Sequence, residues 1–192
     1  MLRLFVALDL PDEVKNPLIG LCHGVAGARW RRPDQLHLTL RFIGEVDGAM
    51  ARDIVDALGH IEAPAFSVTL RGLGHFGDAR RPRVLWAGVD PEPALKRLQG
   101  KVARALQEVG LEDERRKFHP HVTLARLQGA RMEDISQYEC LWGGYPSMTV
   151  PIDSFVLFSS YLSGEGAIYT PEAVYALDDR SFDQALPRPH SD

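Results

Sequence analysis

The sequence predicts an α+β fold with antiparallel sheets, built as one unit used twice, and three observations point there. The expected elements run β α β α β β and then α β α β β, an order that reads as one lobe repeated. No Gly-rich phosphate loop follows the first apolar strand, so the main signature of a doubly wound nucleotide fold is missing. One tetrapeptide pattern also recurs: His37-Leu38-Thr39-Leu40 in the first half and His121-Val122-Thr123-Leu124 in the second.

Taken in order, Leu2 to Leu10 reads as a strand, and Pro11, Asp12 and Glu13 open a helical stretch to about Val25, interrupted or restarted at Pro17. Gln35 to Ile43 is a second strand. Gly44, Asp47 and Gly48 turn the chain, and Met50, Ile54, Leu58 and Ile61 recur at helical spacing. Strands follow at about Ala65 to Leu73 and Arg83 to Val89. Pro91 to Val109 is the clearest helix, with Leu95, Leu98, Val102, Ala105, Leu106 and Val109 on one face and Gly110 as its stop. A strand at about His119 to Leu127 and a helix around Met132 to Leu141 come next. Gly143, Gly144 and Pro146 then lead into strands near Met148 to Leu162 and Ala167 to Leu177. Residues 1–177 are expected to form a single bilobal domain, and 178–192, with Pro187, Pro189 and His190, a polar tail that frays.

Composition narrows the function. The 192 residues are 45% hydrophobic and 25% charged, average for a globular protein and unlike a disordered chain or a coiled coil. A formal charge of −4 argues against indiscriminate binding of nucleic acid or membrane by the whole molecule. Local basic patches remain: 18 of the 22 cations are arginine, and eight of these cluster at 29–32, 80–83 and 115–117. Arginine presents a planar fork to phosphate, although a GC-rich genome would raise its usage equally well. Cys22 and Cys140 form no CxxC pair, so neither a disulfide framework nor a cysteine zinc site is expected, and a reducing cytoplasm is the expected home. Asp9, Asp12 and Glu13 follow the short apolar N-terminus at once, so neither a leader peptide nor a membrane span is expected.

Random placement of 7 histidines and 5 threonines would give about 0.2 His-x-Thr triplets in this chain. In a strand, His37 and Thr39 share one face while Leu38 and Leu40 share the other, and the same holds for His121, Thr123, Val122 and Leu124. Two such strands brought together surround one point with two imidazoles and two hydroxyls. That set suits in-line displacement at phosphorus: one histidine takes a proton from the nucleophile and the other gives one to the leaving oxygen. The threonine hydroxyls donate to the non-bridging oxygens. The scheme calls for no metal and no cofactor.

The two motifs, read with Arg3-Leu4-Phe5-Val6-Ala7, Trp30, Phe42-Ile43-Gly44-Glu45 and the segment from Phe118 to Arg126, resemble the 2H phosphoesterase superfamily. Within it, the resemblance is to the bacterial RNA 2′,3′-cyclic phosphodiesterases, historically 2′-5′ RNA ligases, over Leu2 to about Leu177. It implies two similar lobes, each an antiparallel sheet with helices outside, and a cleft between them carrying both motifs. It implies hydrolysis of a terminal 2′,3′-cyclic phosphate to a 2′-phosphate, and in some members reversible 2′-5′ joining of RNA ends. His37 matches the proton donor and His121 the proton acceptor; Thr39, Thr123 and Arg126 match phosphate-binding positions. Phe5, Trp30 and Phe42 match aromatic positions near the cleft, although each would be equally at home in a core. The implied partners are RNA ends or nucleotides bearing a 2′,3′-cyclic phosphate, and a monomer suffices because one chain completes the cleft.

Other readings stay open at this point. A binding module that keeps the cleft without turnover is one, and a phosphodiesterase for a small cyclic nucleotide another. A metal site using His37, His119 and His121 ranks last, because few carboxylates lie near the motifs. His119 reads as a flank that shapes the strand start around Pro120. His23, His60, His75 and His190 have no partner motif. The basic clusters are candidate RNA contacts, with Arg29, Arg31 and Arg32 beside Trp30 suited to stacking and backbone binding.

Overall fold

A computed structural model describes residues 1–78, 81–114, 116–164 and 166–178 of the chain. The first strand, β1 (Leu2–Asp9), is apolar on both faces. Leu4, Val6 and Leu8 join the main core, while Phe5 and Ala7 join a small cluster with Val156 and Phe158 on the other side of the sheet. Helix α1 (Asp12–Gly20) runs through Pro17 without the expected break and stops at Gly20, short of Val25. Pro17 forfeits only the bond to the Glu13 carbonyl, and both residues are exposed, so water can take that acceptor. Gly24 and Gly27, at φ 84° and 74°, then turn the chain into β2 (Ala28–Trp30). This strand is too short to show in the sequence pattern.

A 3₁₀ turn (Pro33–Gln35) leads into β3 (His37–Val46), so the strand expected from Gln35 begins two residues later and runs further. The Asp47 carboxylate accepts from the Met50 amide at 2.8 Å and starts α2 (Gly48–Gly59), whose Ile54 and Leu58 are buried. β4 (Phe66–Asp78) and β5 (Arg81–Val89) follow. Helix α3 (Pro93–Glu108) starts at Pro93, two residues after the expected Pro91, because Glu92 caps it by accepting from the Ala94 amide at 2.8 Å. Gly110, at φ 92°, ends it as expected. β6 (His121–Leu127) starts after Pro120, and α4 (Met132–Trp142) follows. The single strand expected from Met148 to Leu162 is two, β7 (Met148–Ile152) and β8 (Ser154–Ser163), before β9 (Gly166–Ala176).

Among the described residues the strands form one curled sheet in the order β7-β4-β5-β6-β3-β1-β8-β9, with β2 beside β6. Among the described residues its strands all pair antiparallel. The two expected lobes are its halves, β3-β1-β8-β9 and β6-β5-β4-β7, joined edge to edge where Leu38 pairs with Val122. β7 and β8 separate at Asp153 because β7 joins β4 in one half while β8 crosses to β1 in the other. Pro151 is tolerated because β7 is an edge strand. The apolar faces of α1, α2 and α3 cover the sheet on the side of Leu38, Leu40, Val122 and Leu124. Helix α4 covers a second cluster with Ala125, Leu127, Ile135 and Tyr138.

Candidate active site

Because Leu38 and Val122 pair and face the core, His37 and Thr39 share the opposite face with His121 and Thr123. Both histidines are half-buried at the starts of their strands, and each is held by the backbone two residues upstream. The His121 Nδ1 lies 2.7 Å from the His119 carbonyl, and His37 is hydrogen-bonded to the backbone of Gln35. With Nδ1 donating, His121 turns its Nε2 lone pair outward in the neutral form.

A β-bulge sits at the same place in both motif strands. Thr39 pairs with Ala7 but Arg41 with Val6, leaving Leu40 as the extra residue. Likewise Thr123 pairs with Trp86 but Ala125 with Leu85, leaving Leu124 extra. Two successive residues are therefore buried in each strand, Leu40 with Arg41 and Leu124 with Ala125. Strict alternation would send a residue five positions after the histidine to the core. The bulge returns Phe42 and Arg126 to the histidine face, where Phe42 is 63% exposed and pairs with Phe5.

Aromatic walls enclose each imidazole. Phe5 lies 4.9 Å from His37 between ring centres, Tyr169 meets it edge-on at 5.3 Å and Phe158 stands at 6.2 Å. Phe76 meets His121 edge-on at 4.8 Å, with Trp86 and His119 each at 6.3 Å. Trp86 lies across Gly74, where an added Cβ would stand 2.3 Å from the indole. Burial first, and then the Arg31 guanidinium, depress the His37 proton affinity to about 4. His121 is held below its ordinary value, first by burial and then by neighbouring His119.

The other expected residues divide between the faces. Phe5 is 4% exposed and forms the floor beneath His37. Trp30 packs against Tyr138 at 5.8 Å beside the α4 cluster, on the sheet face away from the histidines. Arg126 stands on the cleft face opposite Arg29 of β2. In the 29–32 cluster, Arg31 is half-buried and close enough to His37, Tyr169 and Arg126 to perturb or be perturbed by them. Arg32 instead bonds Asp34 at 3.1 and 2.9 Å. Arg81 and Arg83 are exposed on β5, Arg116 and Lys117 are exposed before His119, and Arg80 and Arg115 lie outside the described residues. So does the tail from residue 179.

The sequence pattern did not single out Gln35, Phe76, Trp86, Phe158 or Tyr169. Gln35, 6% exposed, donates to the Ala167 carbonyl at 2.6 Å, tying the backbone that holds His37 to β9. No local signal marks these residues, since strand pairing alone brings them to the motifs. His37, His119 and His121 do not form a ligand cluster; among the described residues no three His, Cys, Asp or Glu side chains are grouped to hold a metal. Among them, too, no helix is long and apolar enough to cross a membrane.

Comparison with known proteins agrees with this geometry. A relative from Aeropyrum pernix, named RNA 2′,3′-cyclic phosphodiesterase, is 40% identical over 138 residues, 71% of this chain and 78% of its own. One of the same name from Thermotoga maritima is 32% identical over 180 residues, 88% of this chain and 91% of its own. The crystal structure of Escherichia coli LigT complexed with 3′-AMP superposes with a TM-score of 0.75 at 29% identity, covering 92% of this chain and 98% of that one. The family model described as LigT like phosphoesterase matches residues 8–86 and 88–169, one His-x-Thr motif in each segment, and the chain belongs to that family.

Proposed function

We propose that this phosphoesterase hydrolyses RNA-terminal 2′,3′-cyclic phosphate to a 2′-phosphate by two-histidine acid–base catalysis. The observation that carries the reading is the pairing of equivalent residues Leu38 and Val122, which sets both His-x-Thr pairs on one cleft face. The names of the relatives support the substrate class.

In this mechanism His121, its Nδ1 held by the His119 carbonyl, accepts the proton of the attacking water through Nε2. The water oxygen bonds to phosphorus, the bond from phosphorus to O3′ breaks, and protonated His37 donates to O3′. The Thr39 and Thr123 hydroxyls and the Arg126 guanidinium hold the non-bridging oxygens. Burial and Arg31 favour the neutral form of His37. A phosphate anion beside it favours the imidazolium, so substrate binding itself loads the acid. A 5′-hydroxyl in place of water gives 2′-5′ joining by the same geometry. The site is complete within one chain, which supports a monomer, and both cysteines are free, which supports a reducing cytoplasm.

The test is turnover, in EDTA, of a short oligoribonucleotide ending in a 2′,3′-cyclic phosphate, by wild type, His37→Ala and His121→Ala. A 2′-phosphate from wild type alone is expected. Tight binding without turnover by wild type would instead favour a recognition module.

A further inference from the structure

Outside the two motifs, the cleft carries positive charge that one reacting phosphate does not use. Arg29 and Arg126 are direct cross-strand partners, so two guanidiniums share one face side by side. Like charges directly opposite one another on a sheet destabilise it. Arg31 directly follows β2, two residues and so about 7 Å beyond Arg29 in extended backbone; it is half-buried and close enough to Arg126 to feel its charge. Its backbone amide is anchored to the Leu124 carbonyl at 2.8 Å, which holds β2 against the motif strand.

Two other arginines, the buried Arg41 and the exposed Arg32, have partners of their own. Arg41 reaches Asp113 and the Glu112 carbonyl, and the neighbouring Arg32 is taken by Asp34. Among the described residues no carboxylate forms an ion pair with Arg29, Arg31 or Arg126. Arg126 even lowers the proton affinity of Arg31, which burial has already depressed. Arg31 is half-buried with no carboxylate beside it, and the exposed Arg29 and Arg126 add to the positive field on the same face, so an anion seated on this row relieves all three. A cyclic phosphodiester carries one negative charge, and His37, once protonated, supplies one positive charge to it already.

We propose that Arg29 and Arg31, with Arg126 shared between the two, form a subsite for a second phosphate of the substrate, one nucleoside away from the cyclic phosphate. The preferred substrate is then a 2′,3′-cyclic phosphate whose nucleoside also bears a 5′-phosphate, free or esterified to the preceding nucleotide. This deepens the phosphodiesterase reading above and rests on it. The guanidinium fork matches phosphate oxygens in a way an ammonium does not.

The experiment compares adenosine 2′,3′-cyclic phosphate with its 5′-phosphorylated form as substrates. In parallel, adenosine 2′-phosphate and adenosine 2′,5′-bisphosphate are titrated calorimetrically as product ligands. Wild type is expected to favour the two-phosphate member of each pair by at least about tenfold, the worth of one charge-assisted hydrogen bond. Arg29→Gln and Arg31→Gln should each shrink that ratio, and Arg29→Lys should restore part of it. Arg29 is the cleaner position, because Arg31 also acts on His37. A wild-type ratio near one in both measurements overturns the subsite, and so does a ratio that neither glutamine variant changes. If neither cyclic phosphate nor the oligoribonucleotide above is turned over, the phosphodiesterase reading falls, and the product-binding ratio still decides the subsite.

Discussion

Leu38 and Val122 hold the same place in the two motifs, and they stand directly opposite one another across an antiparallel strand pair. An antiparallel pair has a local twofold axis at each register position. When the paired residues are also equivalent in a repeat, that axis relates the two repeats. Each histidine therefore stands diagonally across the axis from the other, on the face that Leu38 and Val122 do not use.

Leu38 is fully buried, and Leu38→Ala should cost about 2–5 kcal/mol, the range for a cavity in a packed core. The midpoint of urea unfolding reads this directly. A cost under 1 kcal/mol would mean that the junction of the two halves is loosely packed.

His37→Ala and His121→Ala should each lower kcat by roughly 10²–10⁴, the range for a positioned acid or base. The double variant should lose little more than the worse single one, since the two act in one step. A bell-shaped pH profile that survives loss of either histidine would contradict the assignment, because each limb reports one of them.

Acid should destabilise the fold through His37. Its folded proton affinity is held at about 4, against an ordinary value near 6.5, so between those values the unfolded chain binds more protons. This contribution to stability is fully present above about pH 6.5 and is lost as the pH falls to 4, amounting to about 3 kcal/mol at most. His37→Gln should flatten that stretch of the stability curve in equilibrium unfolding at pH 4 to 7. An unchanged slope would locate the acid sensitivity elsewhere.

The bulges predict a separation of binding from stability. Phe42, 63% exposed, and the exposed Arg126 are brought to the cleft without entering the core. Phe42→Ala and Arg126→Ala should leave stability within about 0.5 kcal/mol while raising KM for an RNA end. A large drop in melting temperature would show that the side chains serve packing.

Gly74→Val should disturb the site from a distance. A Cβ there would meet the Trp86 ring at 2.3 Å, and Trp86 is part of the wall around His121. A cost of about 1–3 kcal/mol is expected, together with a shift in tryptophan emission and a slower turnover.

Much of this protein is decided locally, and that part is legible in the sequence. The apolar stripe of α3, its Gly110 stop and the alternation in His37-Leu38-Thr39-Leu40 and His121-Val122-Thr123-Leu124 depend on neighbours within a turn or a pleat. The repeat likewise announced a paired site, because a motif that rare does not recur on two strands by chance. The tertiary structure decided everything that depends on which strand lies beside which. It separated β7 from β8 at Asp153, turned Trp30 toward Tyr138, and brought Tyr169 and Phe158 to His37. It also inserted Leu40 and Leu124 as bulges, reversing the parity that a simple strand would impose on Phe42 and Arg126. The reason is physical: side-chain periodicity is a property of one strand, whereas register, bulges and the far wall of a cleft are properties of pairs of strands distant in the chain.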